Sequence, residues 1–333
     1  MRVAVLGASG LVGRTMVRLL EDCPWLTGTP VCLTSPRSAG TVIAFRDGEV
    51  VCRAVEAALF DGIDVALFSA GGDPSRQWGP VAADRGAWVV DNSAAFRMDP
   101  AVPLVVPEIN GQLVTGGPDG GLIANPNCST IQVAMALAPL ERMARLQEVQ
   151  VTTLQAVSGA GQAAIADLKR QQADPSAGSD STIFPRRMAG NVIPAIGDPQ
   201  GGGFFTEETK VEQELRKILG RGTDLAVTCT ATRVPVVNGH SAAVRVVLDR
   251  DVDLTEVLDA LEAWPGLETA RDPHAYVTPL EMDGRTEVHV GRVRRDPNHP
   301  RALLLWVVAD NLLKGAAWNA VQIAGTLAAG RAT

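Results

Sequence analysis

Val3-Ala4-Val5-Leu6-Gly7-Ala8-Ser9-Gly10-Leu11-Val12-Gly13 decides the fold of this chain. Arg2–Leu6 is a short apolar run of the kind that makes a buried strand, and Leu11–Glu21 reads as a helix. Between them the glycines at 7, 10 and 13 spell G-x-x-G-x-x-G. In such a unit Gly7 permits the tight turn and Gly10 lets the backbone approach a pyrophosphate seated at the helix N-terminus. Gly13 then allows close helix–strand packing. A glycine pattern alone also fits a plain tight turn. Strand, loop and helix in this order make a nucleotide site the better reading.

Working outward, Val31–Thr34, Val65–Ser69 and Ala87–Asp91 read as further buried strands, with a helix over Pro74–Arg85. Alternation of this kind predicts βαβ units and a parallel sheet. A glycine-rich turn at Gly116–Gly121 leads into a last short strand, Leu122–Ala124. The second strand ends in Thr34-Ser35-Pro36-Arg37-Ser38-Ala39-Gly40, with no acid to offer a ribose 2′-hydroxyl. Arg37 between Ser35 and Ser38 suits a 2′-phosphate, which favours NADP over NAD; the competing reading is a solvated surface arginine.

Later the pattern changes. Val149–Leu154, Ala226–Ala231, Ala242–Leu248, Val288–Val293 and Leu303–Ala309 are β-branched runs set among longer irregular segments. They predict an α+β domain with a largely antiparallel or mixed sheet. Ala173–Ser181 and Pro199–Gly203 read as polar or glycine-rich loops, and Gly315–Ala329 as an alanine-rich helix.

Bulk properties exclude several classes of function. A chain of 333 residues, 46% hydrophobic and 20% charged, fits two globular domains. A net charge of −7 and a single tyrosine argue against a nucleic-acid or anionic-membrane surface. The five cysteines form no C-x-x-C pair, and the four histidines show no metal-ligand spacing. No leader and no bilayer-length apolar run is visible, so the expectation is a reduced, metal-free cytoplasmic protein.

The chemistry begins at Ala124-Asn125-Pro126-Asn127-Cys128-Ser129-Thr130, which leads directly into an apolar helix. Unpaired N–H groups at a helix start stabilise a thiolate or an oxyanion, so Cys128 is a candidate nucleophile. Its competing reading is a buried structural thiol. Arg233-Val234-Pro235-Val236-Val237-Asn238-Gly239-His240-Ser241 adds an arginine and a histidine at either end of one turn. A histidine titrating near neutrality can take the thiol proton and later serve the hemithioacetal oxygen.

Seven dispersed segments carry a resemblance to the bacterial aspartate-semialdehyde dehydrogenases over nearly the whole chain. They are GASGLVG at 7–13, DNSAAFRM at 91–98, NPNCST at 125–130, QAVSGAG at 155–161, EETK at 207–210, RVPVVNGHS at 233–241 and LWVVADNLLKGAA at 305–317. The resemblance implies Cys128 as acyl-thioester nucleophile, His240 as acid/base, and Gln155 as the group that positions substrate and thioester. It implies Arg233 for the substrate carboxylate and Glu207 for its ammonium. Arg97 and Lys210 are implied for phosphate, with Asn127 in the same anion region. Gly7, Ser9, Gly10, Leu11, Val12, Arg37, Ser38, Ser158, Gly159 and Asn311 are the expected NADP residues. Departures include Leu313, where an arginine is common, and Thr153-Leu154 where Thr-Tyr is more frequent.

The implied architecture is α/β: a Rossmann-type dinucleotide-binding domain, 1–127 plus 311–333, and an α+β catalytic and dimerisation domain with a mixed sheet, 128–310. The implied activity is NADPH-dependent reductive dephosphorylation of 4-aspartyl phosphate by a homodimer or homotetramer, without nucleic-acid or membrane partners. The nearest rival is an N-acetyl-γ-glutamyl-phosphate reductase, which has no use for a carboxylate at the ammonium site. A glyceraldehyde-3-phosphate dehydrogenase and a non-catalytic NADP-sensing regulator are further alternatives.

Overall fold

A computed structural model describes residues 1–114, 120–174 and 183–331. The chain forms two compact units, Met1–Asn127 with Ala316–Thr333, and Cys128–Gly315. The turn expected at 116–121 and the loop expected at 173–181 lie mostly outside the described residues.

In the first unit the strands are β1 (Val3–Leu6), β2 (Val31–Thr34), β3 (Val42–Phe45), β4 (Gly48–Val51), β5 (Arg53–Ala54), β6 (Val65–Phe68), β7 (Trp88–Asp91) and β8 (Gly121–Ala124). Six of them make a parallel sheet in the order β5-β2-β1-β6-β7-β8, while β3 and β4 form a separate hairpin. This is the doubly wound order of a dinucleotide-binding fold. Helices α1 (Leu11–Leu20), α2 (Gly72–Ala83) and α3 (Pro107–Asn110) belong to the same unit. Side chains alternate between two cores: Val3, Val5, Val65 and Leu67 enter one, Ala4, Leu6, Ala66 and Phe68 the other. Burial on both faces explains why β1 and β6 read as continuous apolar runs.

The glycine loop is built for close approach. Gly7 takes φ 86° and donates its N–H to the Leu33 carbonyl at 2.9 Å. A Cβ on Gly13 would stand 2.1 Å from the Gly7 carbonyl oxygen, so only glycine lets α1 pack this tightly on β1.

The second unit opens with α4 (Cys128–Met143) and continues through β9 (Leu146–Gln155), α5 (Gln162–Ala173), α6 (Thr206–Ile218), β10 (Ala226–Arg233) and β11 (His240–Leu248). Then come α7 (Leu254–Glu262), β12 (Leu267–Thr269), α8 (Pro279–Met282), β13 (Val288–Asp296) and β14 (His299–Ala309). Its sheet runs β10-β9-β11-β14-β13-β12, parallel at the two outer pairs and antiparallel between, hence mixed. Every residue from Ser129 to Leu140 in α4 is buried, which accounts for a helix apolar all round. A π turn at Leu313–Ala317 precedes α9 (Trp318–Arg331), whose Ala320, Val321, Ile323 and Ala324 join the core of the first unit. The return to that unit comes at Ala316 and not at residue 311, because Asn311 bonds Ser158 and Gly239 of the second unit. No described helix is long and apolar enough to cross a membrane.

Candidate active site

Register collects the reactive residues at one end of the second sheet. Gln155 and Arg233 are direct neighbours where the parallel strands β9 and β10 end. β11 runs the other way, pairing Ser241 with Leu154, so His240 at its start arrives beside Gln155. All three side chains are buried. Cys128 opens α4 and is half-buried; a Cβ on Gly315 would lie 2.9 Å from its Cβ, so the backbone at 315 packs directly on the nucleophile candidate.

Hydrogen bonds orient this group. Gln155 Nε2 donates to Ser129 Oγ and, at 2.9 Å, to Glu207 Oε1. A carboxylate only accepts, so the amide face turned to Glu207 must be the NH2. Gln155 Oε1 is left buried, with no hydrogen-bond partner among the described residues. Lys210 Nζ approaches Glu207 Oε2 at 3.4 Å, one turn further along α6. Arg233 Nη1 donates to the Ala156 carbonyl at 2.7 Å. Burial lowers the Arg233 pKa from 12.5, opposed by Cys128 and Glu207, which favour its charge.

The imidazole departs from the expectation of a group titrating near neutrality. Its Nδ1 accepts the Ala156 N–H at 3.0 Å, and Nε2 is buried without a partner among the described residues. Burial first, then the Arg233 charge, push the His240 pKa well below 6.5.

Three of the residues expected to contact NADP, Ser158, Gly159 and Asn311, lie in the same unit. Ser158 Oγ donates to Asn238 Oδ1 at 3.0 Å and accepts from Asn311 Nδ2 at 2.9 Å. Asn311 Oδ1 in turn accepts the Gly239 N–H at 2.9 Å. Gly159 faces the reactive side chains, since a Cβ there would meet Arg233 Nη1 at 3.0 Å and His240 Nε2 at 3.2 Å.

The first unit holds the remainder. Its glycine loop lines a cavity of about 350 Å³ together with Thr34, Ser35, Ser38 and Trp78. Gly7, Ser9 and Gly10 are on its wall; Leu11 and Val12 open α1 half-buried. Ser9 Oγ and Thr34 Oγ1 are 2.8 Å apart. Arg37 stands exposed on the turn Pro36–Ser38, next to that cavity's Pro36 and Ser38. Arg97 is buried and donates to the carbonyls of Asn125 and Asn92, at 2.9 Å each. Asn127 is buried at the end of this segment.

Two contributors went unassigned in the sequence. Ser129 sits in the cysteine run as a mere hydroxyl, yet it is a partner of Gln155. Ala156 contributes only its backbone, to both His240 and Arg233. No side-chain pattern reports such a role.

Comparison with known proteins shows which chains this one resembles. Residues 2–116 match the family model described as semialdehyde dehydrogenase, NAD binding domain, and residues 137–314 match semialdehyde dehydrogenase, dimerisation domain. The aspartate-semialdehyde dehydrogenase of Aquifex aeolicus is 43% identical over 98% of this chain and 97% of its own. That of Bacillus subtilis is 41% identical, with the same shares covered. The crystal structure of Vibrio cholerae aspartate semialdehyde dehydrogenase II complexed with ASA superimposes with a TM-score of 0.93. Its identity is 40%, across 98% of this chain and 97% of that one.

Proposed function

The chain belongs to the aspartate-semialdehyde dehydrogenase family, and on that premise we propose that it reduces 4-aspartyl phosphate with NADPH to aspartate 4-semialdehyde and phosphate. This step serves lysine, threonine, methionine and diaminopimelate synthesis. The observation that carries the reading is the buried group Gln155, Glu207, Arg233 and His240 within the unit that Cys128 opens.

Cys128 attacks the acyl carbon as the thiolate; a C–S bond forms, the C–O bond to phosphate breaks, and a thioester remains. A dinucleotide held at the glycine loop of Gly7, Ser9 and Gly10 would supply the hydride for that carbon. Breaking the C–S bond then releases the aldehyde and restores the thiolate. Arg233 holds the substrate carboxylate with its planar fork, and Glu207 holds the ammonium. Each Glu207 oxygen meets a protein donor, Gln155 or Lys210, which fixes the carboxylate in place. Lys210 and Arg97 are assigned to phosphate, with Asn127 beside the nucleophile.

The residues present fit a dinucleotide. A glycine cradle that a Cβ would fill leads into a cavity whose wall carries hydroxyls and no acid. Gly7, Ser9, Gly10, Leu11 and Val12 are assigned to its pyrophosphate, Arg37 and Ser38 to a 2′-phosphate, and Ser158, Gly159 and Asn311 to the nicotinamide end. We assign the enzyme to the cytoplasm and to a homodimer or homotetramer.

The test is the reverse reaction, read as NADPH absorbance with aspartate semialdehyde, phosphate and NADP. All three components should be required, and N-acetylated aldehyde should react poorly. Comparable rates with free and acetylated aldehyde would favour the N-acetyl-γ-glutamyl-phosphate reductase reading instead.

A further inference from the structure

We propose that Asp310 is a positioning residue for the cofactor: through the amide of Asn238 it sets the direction of the hydrogen bonds that hold Ser158 and Asn311. This rests on the assignment of Ser158 and Asn311 to NADP.

Asp310 follows the last residue of β14 and is buried. Its Oδ1 accepts the backbone N–H groups of Leu312 at 2.8 Å and Leu313 at 3.0 Å, which leads the chain into the π turn Leu313–Ala317. Its Oδ2 accepts the Gly284 N–H and Asn238 Nδ2, both at 2.9 Å. Three of these four donors are backbone groups that can only donate, so both carboxylate oxygens are held as acceptors. The single oxygen of an asparagine would cap this turn as well. What aspartate adds is a second accepting oxygen, and Gly284 and Asn238 take it up.

Asn238 passes the direction on. Its NH2 group donates to Asp310 and to Asp283 Oδ1, the latter at 2.7 Å. Carboxylates only accept, so this amide has one orientation, with Oδ1 turned to Ser158. The Ser158 hydroxyl therefore donates to Asn238 Oδ1 at 3.0 Å, and its oxygen accepts from Asn311 Nδ2 at 2.9 Å. Asn311 Oδ1 accepts the Gly239 N–H, which fixes the second amide from its far end. The chain Asp310–Asn238–Ser158–Asn311 has a single polarity, and a ligand meets Ser158 and Asn311 already ordered. Ordering in advance lowers the cost of binding. Asp310→Asn keeps the shape and the cap but turns an NH2 group towards Gly284 N–H and Asn238 NH2, donor against donor. Asn238 relieves this only by rotating its amide, which sets its oxygen against Asp283 and its NH2 against the Ser158 hydroxyl.

Calorimetry tests this without turnover, using NADP and adenosine 2′,5′-bisphosphate, which lacks the nicotinamide half. Asp310→Asn should weaken NADP about tenfold and the bisphosphate by less than about twofold. Asn238→Ala should do the same, and the double variant should bind NADP within about twofold of Asn238→Ala, because Asp310 then has no amide left to direct. Two effects that multiply to about a hundredfold would reduce Asp310 to a cap of its own turn and overturn the proposal. So would wild-type affinity for NADP in Asp310→Asn. Iodoacetamide should alkylate Cys128 within about twofold of the wild-type rate in all three variants. A larger change would make the lost affinity a disturbance of the whole unit, and that too would sink the idea. Failure of the cofactor assignment is a separate result, namely wild-type protein that binds neither NADP nor the bisphosphate.

Discussion

Among the residues, burial separates four of the five cysteines from Cys128. Burial pushes Cys32 and Cys229 up to about 12 and raises Cys23 and Cys52, whereas Cys128 is half-buried at a helix start. Iodoacetamide at neutral pH should therefore label Cys128 first, as mass spectrometry of the digested protein would record; even labelling of all five would contradict this. Cys128→Ser should lower turnover by about a thousandfold or more while NADP binding survives. Arg37→Ala should raise KM for NADPH about tenfold or more and leave KM for NADH unchanged, the loss of one charge-assisted contact of about 1.5–3 kcal/mol. Equal weakening of both cofactors would make Arg37 a support of its loop. Cys128, Gln155, Glu207, Arg233 and His240 stood out as candidates in the sequence because each is a chemistry-bearing side chain in a distinctive run. The state of His240 was not, since it depends on a backbone N–H 84 residues away in the chain. Ser129 was invisible for the same reason: its partner arrives on another element.

At the level of elements, α6 offers Glu207 and Lys210 one turn apart, 3.4 Å from each other, as expected of positions i and i+3. Glu207→Gln should raise KM for aspartate semialdehyde about tenfold and lower kcat as well, because it also receives the Gln155 amide. Lys210→Ala should act chiefly on KM for phosphate; a change confined to the aldehyde would reverse the assignment. The contact of α1 with β1 is equally strict. Gly13→Ala would place a methyl 2.1 Å from the Gly7 oxygen, so a loss of about 3 kcal/mol or more is expected in urea denaturation, and a tolerated alanine would refute the close approach. Strands buried on both faces were readable as apolar runs. The hairpin β3–β4 was missed because its outward residues are exposed and it buries only Ile43 and Phe45 well, although Asp47-Gly48 at its turn was a usable signal. Helices α5 and α7 were missed too, their short amphipathic patterns being weaker than the β-branched runs around them.

For the whole molecule, two buried histidines favour the fold less as pH falls below neutrality. His240 and His289 both have pKa values lowered from 6.5, with burial the largest cause. Below about pH 6.5 the unfolded chain binds protons that the folded one refuses, so stability falls as pH drops, by at most about 1.4 kcal/mol per pH unit for each group. Urea midpoints should decline from pH 7 towards about pH 5, and His240→Gln should flatten that decline. A slope unchanged by the substitution would remove His240 from the account. The division into a parallel-sheet unit and a mixed-sheet unit was legible, because it follows from where apolar runs alternate with helices and where they do not. The point of return to the first unit was less so: bonds from Asn311 to Ser158 and Gly239 decide it, and these are long-range.

That return has a consequence for synthesis. Once the ribosome has made residues 1–127, all eight strands of the first unit exist, but Ala320, Val321, Ile323 and Ala324 of α9 do not yet cover Val3, Val5 and Met16. The unit that carries Cys128 is one uninterrupted stretch and has been translated in full before them. The unit that Cys128 opens is thus finished earlier than the unit with the glycine loop, whose first strand waits longest for its last partner.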